Sequence, residues 1–151
     1  MPTLPVINSS VFSEQQIAEF LAAATIPVRL ACNDEKGFPL VASHWFAYHD
    51  GLLYCAIHKA SRFAKLLSRD PRCGFEIAGD SPPYRGVRGQ GNAELISKQG
   101  EAQLKELLNR YLGGTQSALA QWLLSRGADE LAVCITPTWV TSWDFTERMG
   151  K

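Results

Sequence analysis

The stretch DGLLYCAIHKASRFAKLLSRDPRCGFEI, residues 50–77, changes periodicity twice. LLYCAI and RCGFEIA are short β-like runs, and the DG before the first is typical of a tight hairpin turn. Between them, residues 61–68 predict a short helix, because apolar residues recur at helical spacing and Pro71 disfavours helical geometry at Asp70. The stretch therefore predicts a strand, a short helix and a second strand.

Further β-like runs stand on both sides of this stretch. IPVRLACN and FPLVASHWFAYH precede it, and YRGVRGQGNAELI, LAVCIT and WVTSWDF follow it. Most are joined as hairpins without βαβ alternation, which favours a small antiparallel barrel of about six strands in an α+β fold. The glycines of GVRGQG predict bulges and bends that close such a barrel. Their GxxGxG spacing is the reverse of the dinucleotide fingerprint and lies within a strand, so a Rossmann fold is not expected.

Three more helices are expected. Ser13 and Gln16 form a capping-box pattern before apolar residues at helical spacing, which predicts a helix over residues 13–24. Two other helical segments are predicted over residues 98–111 and 116–127, with a Gly-Gly pair as the break between them. These helices flank the predicted barrel.

Composition narrows the class of protein. Fifteen Lys and Arg balance fifteen Asp and Glu, so no charge footprint for a nucleic acid is present. No apolar run reaches about 20 residues and no basic leader is present, so a cytoplasmic protein that does not contact a membrane is expected. Without a linker or repeat, residues 1–151 are expected to form a single domain, with a helical segment over 1–24 and a barrel core over 25–145.

The cysteines are predicted to be buried free thiols. They are widely spaced, form no CxxC pair and each lies in an apolar strand-like run. The three histidines do not stand at ligand spacing from any of them, so no metal site is expected. The cysteines are Cys32, Cys55, Cys73 and Cys134.

The short helix carries cations at its first turn, where the helix dipole disfavours them. Ser61 is a suitable N-cap, and Arg62 and Lys65 share one stripe of the helix. Together with free backbone N–H groups they would bind a phosphate monoester, the alternative being solvated cations that cover the edge of the core. The preceding strands, PLVASHWFAY and LLYCAI, are rich in aromatic and small residues that suit a flat ring. A phosphate site beside such a wall indicates a flavin mononucleotide (FMN).

Four segments, taken in order, resemble the FMN-binding split-barrel proteins related to pyridoxamine 5′-phosphate oxidase. They are NDEKGFPLVASHWF, DGLLYCAIHKASRFAKLLSRDPRCGFEI, PPYRGVRGQGNAEL and TPTWVTSWDF. The resemblance implies a six-stranded antiparallel split β-barrel with flanking helices. It also implies a homodimer that binds two FMN molecules in clefts between its subunits and acts on a small molecule.

The resemblance also assigns site residues. The strand at the flavin edge corresponds to five consecutive residues, and Ala56 and Ile57 correspond to the strand end beside the ring and the ribityl chain. Trp143 matches an aromatic side chain that reaches the flavin from the partner subunit. The five residues of the flavin-edge strand are Val41, Ala42, Ser43, His44 and Trp45.

At the phosphate end, Ser61 and Arg62 match the family's phosphate-binding serine and the cation after it. Many members carry a second cation next, where this chain has Phe63, and Lys65 on the same stripe is expected to supply that charge. His58, between the strand and the helix, is either a further phosphate contact or an exposed side chain. The phosphate site is thus predicted with one departure from the family pattern.

The expected function is that of an FMN-dependent oxidoreductase in which flavin N5 accepts or donates a hydride. His44 is a candidate proton donor, because an imidazole exchanges protons near neutrality, and a structural histidine is the alternative. The arginine and histidine motif that holds the substrate of the true oxidase is missing, since no histidine follows His58, so that activity is not expected. Other hypotheses are a non-catalytic flavin or haem protein and a reductase that uses the deazaflavin coenzyme.

Overall fold

The computed structural model describes residues 3–150, in which seven strands form one antiparallel sheet. The order of the strands across the sheet is β2-β1-β5-β6-β7-β4-β3. The strands are β1 (Val28–Asn33), β2 (Pro39–His44), β3 (Ala47–His49), β4 (Leu52–His58), β5 (Arg72–Ala78), β6 (Arg85–Ile96) and β7 (Glu130–Asp144).

Helices cover parts of this sheet, and the four predicted ones are observed. The Ser13 and Ser61 hydroxyls accept hydrogen bonds from the backbone N–H groups of Gln16 and Ala64, which confirms the predicted N-caps. A further one-turn helix near the C-terminus was not predicted, because one turn leaves no periodicity to detect. The helices are α1 (Glu14–Ala23), α2 (Arg62–Arg69), α3 (Gly100–Leu112), α4 (Ala118–Ser125) and α5 (Thr146–Met149).

The predicted antiparallel α+β class is confirmed, whereas the predicted six-stranded split β-barrel is corrected, because the sheet has seven strands and is not closed. The run FPLVASHWFAYH splits into β2 and β3, which are the two outer strands of the sheet and are not paired with each other. The break falls at Trp45 and Phe46, because the Phe46 side chain is fully buried and its backbone N–H donates to the Tyr111 hydroxyl of α3, at 3.2 Å. Trp45 stacks on the same Tyr111 ring, with centroids 5.3 Å apart. The two sheet edges therefore meet at a corner held by α3, without a ladder of hydrogen bonds.

Near the C-terminus the reverse happens, since two predicted runs form one continuous strand, β7. Pro137 lies inside β7 where the pairing with β6 shifts register between Gln90 and Gly91. A proline has no N–H for a ladder bond, and such an irregularity does not require one. The irregularity predicted for the glycine-rich strand thus lies in its pairing with β7, and the extra residue at the register shift is Thr138 of β7.

β4 is covered on both faces, which sets the position of the candidate site. Cys55 and Ile57 face the main core, whereas Ala56 packs against a smaller cluster formed by α3 and α4. All four cysteines are buried, as predicted. Across residues 3–150, no helix has the length and apolar character needed to span a membrane.

Candidate functional site

A cavity of about 420 Å³ lies where the end of β2 and the end of β4 meet α3 and α4. Two separate segments bring six of the predicted site residues to it. Three come from β2 and the corner after it, and three from β4. They are Ser43, His44, Trp45, Ala56, Ile57 and His58, and the remaining lining residues are Pro27, Leu104, Leu107, Leu123 and Glu130.

His44 contributes an unpartnered polar atom to this region. Its Nε2 is buried and has no hydrogen-bond partner among the described residues. Its ring packs edge-on against Phe63 of α2, with centroids 5.1 Å apart. Burial lowers the pKa of His44, so the ring is neutral at pH 7. At that pH His44 offers a hydrogen bond and not a positive charge.

His58 and Glu130 lie opposite each other in the β4–β7 ladder. The backbone N–H of Ala60 donates to His58 Nδ1, at 3.1 Å, so the neutral ring carries its proton on Nε2. That Nε2 lies 3.9 Å from Oδ2 of Asp129. Glu130 is only 7% exposed, and burial raises the pKa of its carboxyl.

Glu130 was missed by the sequence analysis. In the sequence it follows Gly127, Ala128 and Asp129 at the start of a strand, where a glutamate is usually solvated. The packing of α3 against this end of β7, with Leu123 of α4 lining the same cavity, buries it. The acidic pair Asp129 and Glu130 before an apolar run indicates that a strand begins there, and it does not indicate that one of the two carboxyls is buried.

The start of α2, about one turn beyond His58, has a different electrostatic character. Arg62 donates twice to Glu35 of the β1–β2 turn, from Nη1 to Oε1 at 3.2 Å and from Nη2 to Oε2 at 3.0 Å. Arg69 lies 3.9 Å from the same carboxylate. The backbone N–H of Glu35 and then the Arg62 guanidinium lower the pKa of Glu35. The predicted counter-charge Arg62 is therefore already paired, by an acid distant in sequence.

Lys65 lies one turn further along α2. Its side chain is exposed and forms no ion pair with any residue from 3 to 150. Ser61 connects this helix to β4, since its backbone N–H donates to the His58 carbonyl at 3.0 Å. The residues predicted to bind the phosphate thus come directly after the cavity-lining residue His58 in the chain, and Lys65 is the unpaired cation among them.

Besides the three residues at the start of α2, three more predicted residues lie outside the cavity. Val41 is 60% exposed and lines a separate hollow on the outer face of the sheet, and Ala42 packs against the main core. Trp143 pairs with Gly86 near the far end of β7, where the Arg88 guanidinium lies 5.2 Å from its ring. At about 3.3 Å per residue, Trp143 is on the order of 30 Å of strand away from the part of β7 that pairs with Ala56. Within one chain, Trp143 does not reach the cavity.

The sequence profile of the pyridoxamine 5′-phosphate oxidase family matches residues 13–144. The chain therefore belongs to the pyridoxamine 5′-phosphate oxidase family, which confirms the resemblance seen in the four sequence segments. No match to this sequence was found among curated proteins.

Solved structures share the fold. A conserved hypothetical protein from Mycobacterium tuberculosis is 26% identical, with a TM-score of 0.78 over 96% of this chain and 92% of its own. An F420 reductase is 21% identical, with a TM-score of 0.68 over 82% of this chain and 94% of its own. A FAD-binding protein from Mesorhizobium loti is 20% identical, with a TM-score of 0.65 over 87% of this chain and 94% of its own. The last two likenesses show the fold alone.

Proposed function

We propose that this protein binds FMN, with the isoalloxazine ring in the cavity and the phosphate at the start of α2, and serves as a flavin-dependent oxidoreductase. The observation that carries the proposal is the cavity itself. It gathers six residues that were singled out from sequence, from two strands that are not neighbours in the sheet. Family membership and a FAD-binding protein of the same fold support it.

The residues present fit such a ligand. The cavity lies within the range of about 300–1,000 Å³ that is usual for small-molecule sites, and its lining is largely apolar with few polar groups. Two of those polar groups, His44 Nε2 and the Glu130 carboxylate, have no hydrogen-bond partner within residues 3–150. Buried polar groups are rarely left unpaired, so a ligand with hydrogen-bonding groups suits the cavity.

Each part of the chain has a distinct role in this proposal. Bound FMN would supply the hydride-transfer chemistry. Trp45 and Ala56 form the wall for the ring, and neutral His44 offers it a hydrogen bond. Ser61, Lys65 and the N–H groups at the start of α2 hold the phosphate. Arg62 joins them once it exchanges Glu35 for the phosphate.

We further propose that the protein is a homodimer in which Trp143 of each subunit approaches the flavin of the other. The position of Trp143, remote from the cavity of its own chain, supports this arrangement. The hollow on the outer sheet face, which includes Val41 and Trp139, offers a surface for a second copy. Sedimentation of the purified protein tests the dimer, since a monomer at all concentrations contradicts it.

A deazaflavin reductase is the second candidate function, and the F420 reductase of the same fold favours it. Both coenzymes carry a flat tricyclic ring, a ribityl chain and a phosphate, so the same residues would hold either. The choice between them is therefore left to the ligand that the protein retains.

Purification followed by a visible absorption spectrum and mass measurement of the retained ligand tests the proposed function. We expect a flavin or deazaflavin, or uptake of added FMN measured by fluorescence quenching. Reduction of the bound flavin by a nicotinamide donor, faster than that of free flavin, would support the oxidoreductase. A haem Soret band, or failure to take up any of these ligands, would contradict the proposal.

A further inference from the structure

Glu130 is a buried carboxylate that the protein itself leaves without a hydrogen bond. It is the first residue of β7, is 7% exposed and lines the cavity. No hydrogen bond to its side chain is formed by any residue from 3 to 150. Unlike His44 Nε2, its carboxylate oxygens are reached by solvent through the cavity, so a ligand that enters the cavity can bond to them.

Packing fixes the position of Glu130. A Cβ atom at Gly100, the first residue of α3, would lie 1.9 Å from the Glu130 carbonyl oxygen, so α3 presses directly on this backbone. Leu104 and Leu107 of α3 line the cavity beside it. The contact with α3 therefore fixes the backbone of Glu130 at the edge of the cavity.

The charged groups around Glu130 do not satisfy it. His58 of β4, Arg126 after α4 and Asp129 are the titratable groups that act on it, the first two favouring its ionised form and the third opposing it. The Arg126 guanidinium instead lies over the Trp122 ring, 4.8 Å from the centroid, and His58 directs its Nε2 towards Asp129. Among residues 3–150, therefore, no group donates to Glu130, and a ligand in the cavity can supply the donor.

We propose that Glu130 accepts hydrogen bonds from the hydroxyl groups of the cofactor's ribityl chain. The inference rests on the proposed function. Ala56 forms part of the ring wall, and His58 follows it two residues later and precedes Ser61 at the phosphate end. A ribityl chain that joins ring to phosphate passes His58, and Glu130 lies opposite His58 in the ladder.

This contact makes cofactor binding depend on pH. In the free protein burial raises the pKa of Glu130, and hydroxyl donors favour its ionised form, so binding lowers that pKa. Binding therefore releases a proton at a pH below the raised pKa. Affinity rises with pH through this window and is constant above it.

The test compares three ligands: lumiflavin, which is the ring without the ribityl chain, riboflavin, which adds the chain, and FMN, which adds the phosphate. The Glu130→Leu variant removes the acceptor. We expect this variant to weaken the binding of riboflavin and FMN at least tenfold at neutral pH, a tenfold change in Kd being about 1.4 kcal/mol. The affinity for lumiflavin should stay within about twofold of wild type. Glu94→Leu, at an exposed position of β6, is the matched control with no expected effect.

Glu130→Gln separates a contact from a merely structural role. Its amide oxygen still accepts a hydrogen bond, so riboflavin affinity should stay within about fivefold of wild type. The riboflavin affinity of Glu130→Gln should no longer vary with pH, because the titrating carboxyl has been removed.

Three results would overturn the inference. The first is an equal loss of affinity for lumiflavin and riboflavin in Glu130→Leu. The second is an unchanged riboflavin affinity in that variant, and the third is a riboflavin affinity of the wild type that rises as pH falls. If wild type binds none of the three ligands, the proposed function fails and the inference with it. If wild type binds all three and Glu130→Leu has no effect, the inference alone fails.

Discussion

The two ends of the candidate site handle their polar groups in opposite ways. At the start of α2 Arg62 is exposed and already paired with Glu35, the two side chains being 57% and 45% exposed. In the cavity, the polar groups of His44 and Glu130 are buried and unpaired. Exposed ion pairs exchange partners at little cost, whereas a polar group inside a cavity has few partners besides a bound ligand. Ion pairs at the phosphate end can therefore be exchanged for contacts with a phosphate, whereas the polar groups of the cavity favour a ligand that forms hydrogen bonds with them.

The largest expected effect comes from breaking the cavity end at Gly100. In Gly100→Ala, the new Cβ would overlap the Glu130 backbone, so α3 must move away from β7. We expect a loss of about 3 kcal/mol in the free energy of unfolding, as for overpacked cores, together with loss of flavin binding. Urea unfolding followed by circular dichroism measures it. Gly79→Ala is the control, because no atom lies within 4 Å of a Cβ there, and an equal loss in both variants would contradict the steric argument.

Removing both cations at the phosphate end is expected to have the next largest effect. Arg62→Ala with Lys65→Ala should weaken FMN at least tenfold, because charge-assisted hydrogen bonds to phosphate are lost. Riboflavin affinity should not change, since riboflavin has no phosphate. Titration of both ligands by fluorescence measures the difference. The matched control is Lys98→Ala with Lys105→Ala, and an unchanged FMN affinity in the first double variant would show that its cations only solvate the surface.

At the cavity end, Glu130→Leu is expected to make the protein more stable although it weakens flavin binding. Glu130→Leu should raise the free energy of unfolding by about 1 kcal/mol at pH 7, because a buried unpaired carboxylate is replaced by an apolar side chain. The folded-state pKa of Glu130 is raised, so its contribution to stability is present below the unfolded-state pKa and is lost as pH rises through the folded-state value. The difference in the free energy of unfolding between Glu130→Leu and wild type should therefore widen with pH above about 4.5. Thermal unfolding across pH 4–8 measures it, and a gap that narrows would contradict this assignment.

The smallest expected effect concerns the acid that pairs with Arg62. Glu35→Gln removes the carboxylate that competes with a phosphate for the guanidinium, so FMN affinity should rise about threefold, in keeping with a weak exposed pair. The gain should vanish when Arg62→Ala is added. A comparison of FMN with riboflavin in the four combinations of these two substitutions measures it, and an equal gain for riboflavin would show that Glu35 acts by another route.

Much of the fold was predictable from local patterns. The capping box at Ser13 and the N-cap at Ser61 are encoded by residues close in sequence, and both are observed. The pairing of the glycine-rich strand is irregular, although the extra residue is Thr138 of β7. The break between β2 and β3 was not predictable, because FPLVASHWFAYH is a continuous β-like run. Tyr111, more than 60 residues later, forms the corner by binding Phe46 and stacking on Trp45.

The candidate site divides in the same way. The sequence by itself determined the family, the antiparallel α+β class and the residues of β2, the corner after it and β4 that meet around one cavity, because short motifs carry that information. Only the tertiary structure decided that Glu35 neutralises Arg62 and that Glu130 is buried opposite His58. The physical reason is that pairing and burial depend on which distant elements pack together, and a charge looks the same in sequence whether it meets water, a partner or neither.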